Sequence, residues 1–272
     1  MAAATIQSVE KAWDILLLLA KNGPLNLSEI ADTIETSKAT TFRILTTLTG
    51  IGLLDQIEDG KKYCIDYRVL ELSYYTLESS VLKKQANPYL YELADATKLI
   101  ACLGVISGHV AVTIDKVSLH NPFSVLKEEI GVLVPAHVSS VGKVILAYLP
   151  PERVEQFLED YSFTTYTTVS ITNKSEFLAE LERVREVGYA FNDQEWKKGI
   201  CSVAMPIFNY EAKVVGAVAI SREDHLHGEI DDPRKAFTAD LMRSLREVAN
   251  KISFSCGYHS VQMLQESSVW RK

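Results

Sequence analysis

Cysteine is scarce in this chain, and what there is lies scattered. Cys64, Cys102, Cys201 and Cys256 stand far apart, with no Cys-x-x-Cys pair. That excludes a disulfide-stapled scaffold and a zinc knot, and predicts reduced, mostly buried thiols. Long apolar runs are missing too, and the N-terminus lacks a charged segment leading into a hydrophobic one. The chain is therefore expected to be soluble and cytoplasmic, with no membrane partner. There is no His-Glu-x-x-His, no Gly-x-Ser-x-Gly, no phosphate loop and no glycine-rich dinucleotide turn, so no catalytic residue and no cofactor is expected. Metal ligands are short as well. Asp224, His225 and His227 lack a third partner of clear spacing and read as an exposed polar turn near Gly228. Finally, basic charge is not in excess: 28 Lys/Arg stand against 35 Asp/Glu, a net charge of −7. Residues 1–72 hold seven Lys/Arg and ten Asp/Glu, so any footprint on nucleic acid must be local.

What remains is ordinary globular composition, 47% hydrophobic and 23% charged, with enough chain for two cores. The most informative stretch is residues 25–49. Asn26 with Glu29 three residues on has capping-box spacing, and Leu25 and Ile30 have the staple spacing. Ile30, Ala31 and Ile34 then stripe one short helix, Glu35-Thr36 turns the chain, and Ser37 caps a second helix from Lys38 to about Thr49. On that helix Thr41, Ile44, Leu45 and Leu48 share one face; Lys38, Ala39, Phe42, Arg43 and Thr46 share the other. A guanidinium fork, an ammonium, a hydroxyl, a ring and a methyl suit a helix laid in the major groove, though a solvated outer face is the plainer alternative. Gly50 and Gly52 allow a left-handed cap. Strands at 53–57 and 61–65, joined by Glu58-Asp59-Gly60, complete a winged helix-turn-helix with Lys61 and Lys62 at the wing. Ser28 and Thr40, beside the two helix starts, join Ser37 in the candidate DNA-contacting set.

Before this unit, a small-residue lead precedes a helix capped by Ser8 and running to about Lys21, apolar at Val9, Ala12, Trp13, Leu16 and Leu19, and stopped by Asn22-Gly23-Pro24. After it, Val69 to Gln85 holds no glycine or proline and predicts a stiff linker helix. Asn87-Pro88 reads as a cap and first turn of a further helix to about Thr97. Period-two patterns then give a hairpin, 99–106 and 110–117, turning at Ser107-Gly108, and a short strand at 123–126. Residues 131–134 form a loop, and Ser139-Ser140 open a helix to Tyr148. Pro150-Pro151 interrupts it, and a second helix runs to about Asp160. Residues 164–172 form an extended loop. Asn173 caps a helix ended by Gly188, and 189–193, 201–208 and 213–221 are strands. A long closing helix starts at Asp232-Pro233 and runs to about Ser255. There are no internal repeats. The second domain is thus α+β, a mostly antiparallel sheet packed by helices on one side with pocket-forming loops on the other.

Taken in order, IQSVEKAWDILLLL, LSEIADTIETSKATTFRILTTLTGIGLL, VPAHVSSVGKVILAYLPPE, ELERVREVGYAFNDQE, GICSVAMPIF and VVGAVAIS make the chain similar to the IclR (isocitrate lyase regulator) family of transcription regulators over nearly its whole length. The resemblance implies a winged helix-turn-helix over 1–68, a linker helix over 69–87, a GAF/PAS-like antiparallel-sheet effector domain over 88–260 and a C-terminal tail over 261–272. It also implies dimers, with tetramers possible, on near-palindromic double-stranded operators, the first helix as a dimer surface, and repression of a catabolic operon. By position, the family's effector residues fall on Ser140 and Val141, on Asn192 with Asp193 beside it where the family has aspartate, on Ser202 where it has cysteine, and on Ala219 and Ser221 where it has serines.

The residues themselves point to a ligand type. Ser139 to Gly142 is a helix N-terminus with hydroxyls and free N–H groups, which favours a carboxylate. Asn192, Asp193, Ser202 and Ser221 then supply partners for hydroxyl or keto oxygens, so a small sugar acid or keto acid fits better than a bare aromatic. The same serines also cap the helix, and the two roles are compatible. A regulator whose second domain serves assembly only, or an enzyme, are the alternatives. Asp193 and Glu195 are the nearest pair of acids for the latter, and such pairs are commonly just surface.

Overall fold

Asn26 and Glu29 close on each other as their spacing requires. Asn26 Oδ1 accepts from the N–H groups of Ser28 at 2.9 Å and Glu29 at 3.0 Å, and Glu29 Oε2 accepts from Asn26 N–H at 2.7 Å. Such a cap stabilises a helix by about 1 kcal/mol, much for one of two turns. The computed structural model describes residues 5–57, 61–120, 130–223 and 232–259. It divides into two units, 1–79 and 80–272.

In the first unit, α1 (Gln7–Asn22) precedes β1 (Leu25–Asn26), α2 (Leu27–Thr33) and α3 (Lys38–Gly50), followed by β2 (Leu54–Ile57) and β3 (Lys62–Ile65). Glu35 takes a positive φ of 49° in the turn between α2 and α3, and Gly52 one of 76° after α3. Ile15, Leu19, Ile30, Leu45, Leu48 and Tyr63 form the core. Three features depart from the sequence expectation. Ser8 does not cap α1; the helix starts at Gln7, and Ile6 before it makes no side-chain cap. The α1 face turned to the core carries Ile15 and Leu19, leaving Val9 63% and Trp13 60% exposed. Leu25-Asn26 adds a short strand, Leu25 pairing with Tyr63, so the wing sheet has three strands in the order β1-β3-β2. The turn at 58–60 lies outside the described residues.

The linker is not one helix. A 3-10 turn (Tyr67–Val69) leads into α4 (Leu70–Glu78), and the chain breaks before α5 (Val81–Thr97). Ser80, extended at ψ 104°, accepts from Lys83 N–H and starts the new helix. A serine pair competes for backbone hydrogen bonds, and here it ends one helix and caps the next. Pro88 does not start that helix but sits inside it, on its exposed side. The loss of one backbone bond there is offset by burial of Ala86, Leu90, Leu93 and Ala94.

In the second unit, β4 (Ile100–Ser107), β5 (Val110–Val117), β6 (Leu133–Pro135), β7 (Ala190–Asp193), β8 (Ile200–Phe208) and β9 (Val214–Glu223) form one antiparallel sheet, ordered β6-β5-β4-β9-β8-β7. Between them lie α6 (Ser140–Ala147), α7 (Pro151–Phe157) and α8 (Lys174–Val187); α9 (Ala239–Ser255) follows. Side chains alternate between faces. Val203, Met205, Val218 and Ile220 pack with α5 and α9, whereas Ala204, Ala217 and Ala219 pack with α6 and α8. Helices therefore cover both faces, correcting the one-sided layer expected. The small residues on the second face let α6 approach closely. Residues 133–135, expected in a loop, form the edge strand β6. The closing helix begins at Ala239, capped by Thr238, because Pro233–Ala236 makes a separate 3-10 turn. The strand expected at 123–126, the turn at 224–228 and the tail at 261–272 lie outside the described residues.

Candidate functional site

On α3, packing alone decides which side chains are offered to a partner. Thr41, Ile44, Leu45 and Leu48 are buried against α1 and α2, so Lys38, Ala39, Thr40, Phe42, Arg43 and Thr46 face out, Phe42 at 52% exposure. Ser37 caps the helix by accepting from Thr40 N–H at 3.2 Å, and its hydroxyl lies 2.9 Å from that of Thr40. Thr46 donates to the Phe42 carbonyl at 2.8 Å. Lys38 and Arg43 make no ion pair among the described residues. Their charges are free to meet phosphate or a guanine edge. Ser28 is half-buried in the first turn of α2; Lys61 is exposed beside β3, and Lys62, half-buried, is paired through its backbone to Asn26 and Ile57.

The second unit holds a cavity of about 30 Å³ under the N-terminus of α6. That is room for about two waters. Its floor is set by register. Asn192 of β7 stands opposite Ser202 of β8, and Ser202 opposite Ser221 of β9, giving one polar row across three strands. In the next row Ala219 stands opposite Cys102 of β4. The roof is Ser139, Ser140 and Val141, and the remaining walls come from Gly104, Ala111, Val112, Thr113, Val134 and Trp196. Two glycines allow this closeness. A Cβ on Gly142 would meet the Ala136 backbone at 2.5 Å, and one on Gly104 would meet Val141 Cγ1 at 2.7 Å.

Ser139 caps α6 by accepting from Gly142 N–H at 3.2 Å, and Ser140 Oγ lies 2.8 Å from Ser202 Oγ. Asn192, 3% exposed, accepts from Glu195 N–H through Oδ1 at 2.9 Å. Its Nδ2 has no partner among the described residues, and neither has the hydroxyl of Ser221, 2% exposed. Asp193 does not line the cavity. Strand alternation turns it away, to within 3.7 Å of Arg234. Thus Ser139, Ser140, Val141, Asn192, Ser202, Ala219 and Ser221 come together, and Asp193 does not.

Sequence reasoning missed Trp196, Cys102, Gly104 and the β5 wall, since alternation marks two faces without saying which one meets α6. It also missed the clamp beside the cavity. Lys143, 1% exposed, reaches from α6 to Glu195 Oε1 at 2.6 Å and to Glu180 Oε1 at 3.7 Å. Burial pushes the Glu195 carboxyl above its ordinary range against the pull of Lys143. Nearby, buried His137 lies 2.7 Å from the Tyr161 hydroxyl through Nδ1 and 3.0 Å from the Thr164 carbonyl through Nε2. A carbonyl only accepts, so Nε2 carries the proton and Tyr161 donates to Nδ1. Burial, followed by the charge of Lys143, lowers the His137 pKa although the Thr164 bond opposes this.

Among the described residues no group of side chains fits a metal ion, and no helix is long and apolar enough to cross a membrane. Residues 8–58 match the IclR helix-turn-helix domain and residues 74–254 the bacterial transcriptional regulator IclR C-terminal domain. The HTH-type transcriptional regulator XynR of Escherichia coli is 30% identical over 93% of this chain and 98% of its own length. The crystal structure of Thermotoga maritima IclR is 27% identical, covers 93% of this chain and 100% of its own, and superposes with a TM-score of 0.68. The inducer-binding domain of the PobR transcription factor from Acinetobacter, solved as a double mutant with 3-hydroxybenzoic acid, is 25% identical, covers 64% of this chain and 98% of its own, and has a TM-score of 0.58. These matches are to regulators and not to enzymes, and those to XynR and to Thermotoga maritima IclR span both units. A helix-turn-helix with a free basic face and an antiparallel-sheet domain with a polar cavity, each matched along its length, place this chain in the IclR family of transcriptional regulators.

Proposed function

We propose that this regulator represses a catabolic operon by inserting α3 into the major groove of a near-palindromic operator, and that a small carboxylate bound in the cavity changes its hold on DNA. The observation that carries the reading is the cavity's chemistry. The buried amide of Asn192 and the buried hydroxyl of Ser221 lack protein partners and sit opposite the N-terminus of α6. A domain that served assembly alone would have no use for polar groups gathered around a cavity and making no hydrogen bond with the protein among the described residues. A carboxylate at the α6 N–H groups, with its hydroxyl or keto oxygens on Asn192, Ser202 and Ser221, meets them all. The carboxylic acid in the PobR domain is in keeping with this class of ligand.

For DNA, Arg43 and Lys38 carry the contacts, with Phe42 and Ala39 against thymine methyl groups and Ser28, Ser37, Thr40, Thr46, Lys61 and Lys62 toward phosphate and sugar. One small helix face on an acidic protein gives few phosphate contacts, so a two-fold dimer is needed to double them. The uncovered apolar side chains Ile6, Val9, Trp13 and Leu17 of the α1 region supply a surface for that pairing. The test is fluorescence anisotropy on DNA from beside the gene, titrated with sugar acids and keto acids. Retention of the same DNA affinity across the whole panel would refute the sensing half; no sequence-dependent binding would refute the other.

A further inference from the structure

We infer that the cavity reports to the first two turns of α5 through β5 and β9, with Asp115 as the positioning residue that holds Lys83 and Asn87 against the sheet. The inference rests on the carboxylate reading above and concerns how occupancy is passed out of the cavity.

A regular strand keeps residues two apart on one face, so Asp115 would share the cavity face with Thr113, one of the cavity walls. It does not. Leu103 of β4 pairs with Asp115, and the next residue, Gly104, pairs with Thr113, so Ile114 is an extra residue bulged out of the ladder. The bulge turns Asp115 to the opposite face, where it is 4% exposed and both its oxygens are bonded. Oδ1 accepts from Lys83 Nζ at 2.7 Å and Oδ2 from Asn87 Nδ2 at 2.9 Å. Both partners stand on α5, which starts at Val81, directly after the break at Ser79-Ser80. One strand thus carries a cavity wall on one face and a grip on α5 on the other. An apolar pair would stabilise this junction as well as a buried ion pair does; what the charges add is a fixed position.

A second contact reaches the same turns through β9. Gly216 adjoins Ala217, the partner of Gly104. A Cβ on Gly216 would meet Leu82 Cδ2 at 2.8 Å and the Gly104 carbonyl at 3.0 Å, just as one on Gly104 would meet Val141. Val141 roofs the cavity and Leu82 belongs to α5. Glycine gives neither strand a side chain to absorb a displacement between them. Here too the strand is bulged: Ile207 pairs with Gly216 and Phe208 with Val214, leaving Val215 extra. Close-packed interiors transmit strain instead of compressing, and a bulge is where a strand can change its path. Pressure on the cavity wall is therefore passed to α5 at Leu82, Lys83 and Asn87.

The test uses the full chain with pyruvate, lactate, gluconate, 2-ketogluconate and 3-hydroxybenzoate. Calorimetry gives the affinity for each, anisotropy the change it causes in affinity for DNA from beside the gene, and hydrogen exchange the protection of residues 81–90 with and without it. In the wild type a bound carboxylate should change DNA affinity by roughly fivefold or more and alter exchange across 81–90. Asp115→Asn should still bind that carboxylate, and DNA without it, within about threefold of the wild type, while the response of DNA binding falls below about twofold. Exchange across 81–90 should then no longer depend on the carboxylate. Lys83→Met should do the same, and decides the matter if Asp115→Asn does not fold. Lys83→Arg keeps the cation and should keep the response. A lowered melting temperature with the response intact in both neutral variants would make the clamp merely structural and overturn the inference, as would loss of carboxylate binding itself. A wild type that binds a carboxylate with exchange across 81–90 unchanged overturns the inference alone. A wild type that binds none of these acids overturns the carboxylate reading, and this inference with it.

Discussion

On the proposed reading, Arg43 is the side chain on which DNA recognition most depends. It is exposed, makes no ion pair among the described residues, and stands on a helix held from behind by Ile44, Leu45 and Leu48. Arg43→Ala should weaken operator binding by about 1–3 kcal/mol per base contact while leaving the melting temperature unchanged, read by anisotropy and circular dichroism. Undiminished affinity would remove Arg43 from the recognition set. Gly142 is critical for the opposite reason, since no Cβ fits there: the Ala136 backbone lies 2.5 Å away. Gly142→Ala should destabilise the second unit by about 1–3 kcal/mol in urea melts and leave α3 able to bind DNA. His137 carries a pH dependence. Its folded pKa is lowered by burial, so the unfolded chain binds more protons just below the ordinary value near 6.5. Its contribution is complete above that value and is lost as pH falls through the folded pKa. The urea midpoint should drop on acidification below about pH 6.5, and His137→Gln should flatten that drop.

At the scale of elements, α6 positions the site. Its N-terminus roofs the cavity, Ser140 touches Ser202 across it at 2.8 Å, and Lys143 ties its middle to Glu195. Ser140→Trp would fill the space and should abolish the response of DNA binding to carboxylates while basal DNA binding persists. A retained response would mean that the ligand sits elsewhere. What could be read from sequence follows from how local each cause is. The caps at Asn26, Ser37, Ser139 and Asn173, and the left-handed turns at Gly108 and Gly188, are decided within a few residues and were readable. Pro88 departs from the local reading because the burial that overrides it comes in large part from α9, far away in sequence. The break at Ser79-Ser80 was hidden because neither glycine nor proline marks it. Cavity residues on β8 and β9 came only through family resemblance; nothing local says that Ser202 and Ser221 lie in one row, because register is a property of three strands together.

At the scale of the whole molecule, a net charge of −7 makes DNA binding an argument about balance. With few phosphate contacts and an acidic body, non-specific affinity should be weak already at low salt and should fall with a shallow slope as salt rises. Lys38→Ala should lower the slope of log K against log salt by about 1 per protomer and weaken all DNA sequences alike. An unchanged slope would place Lys38 away from the phosphates. The cavity's size has a consequence for how such a protein reports on metabolism. On the proposed reading, a guest larger than this space would press α6 away from the β-row beneath it. Part of the attraction between guest and host is then converted into mechanical work on the domain, and only that share can travel onward. Enlarging the empty chamber by trimming Val141 or Trp196 should therefore make the guest bind more tightly and the message grow fainter.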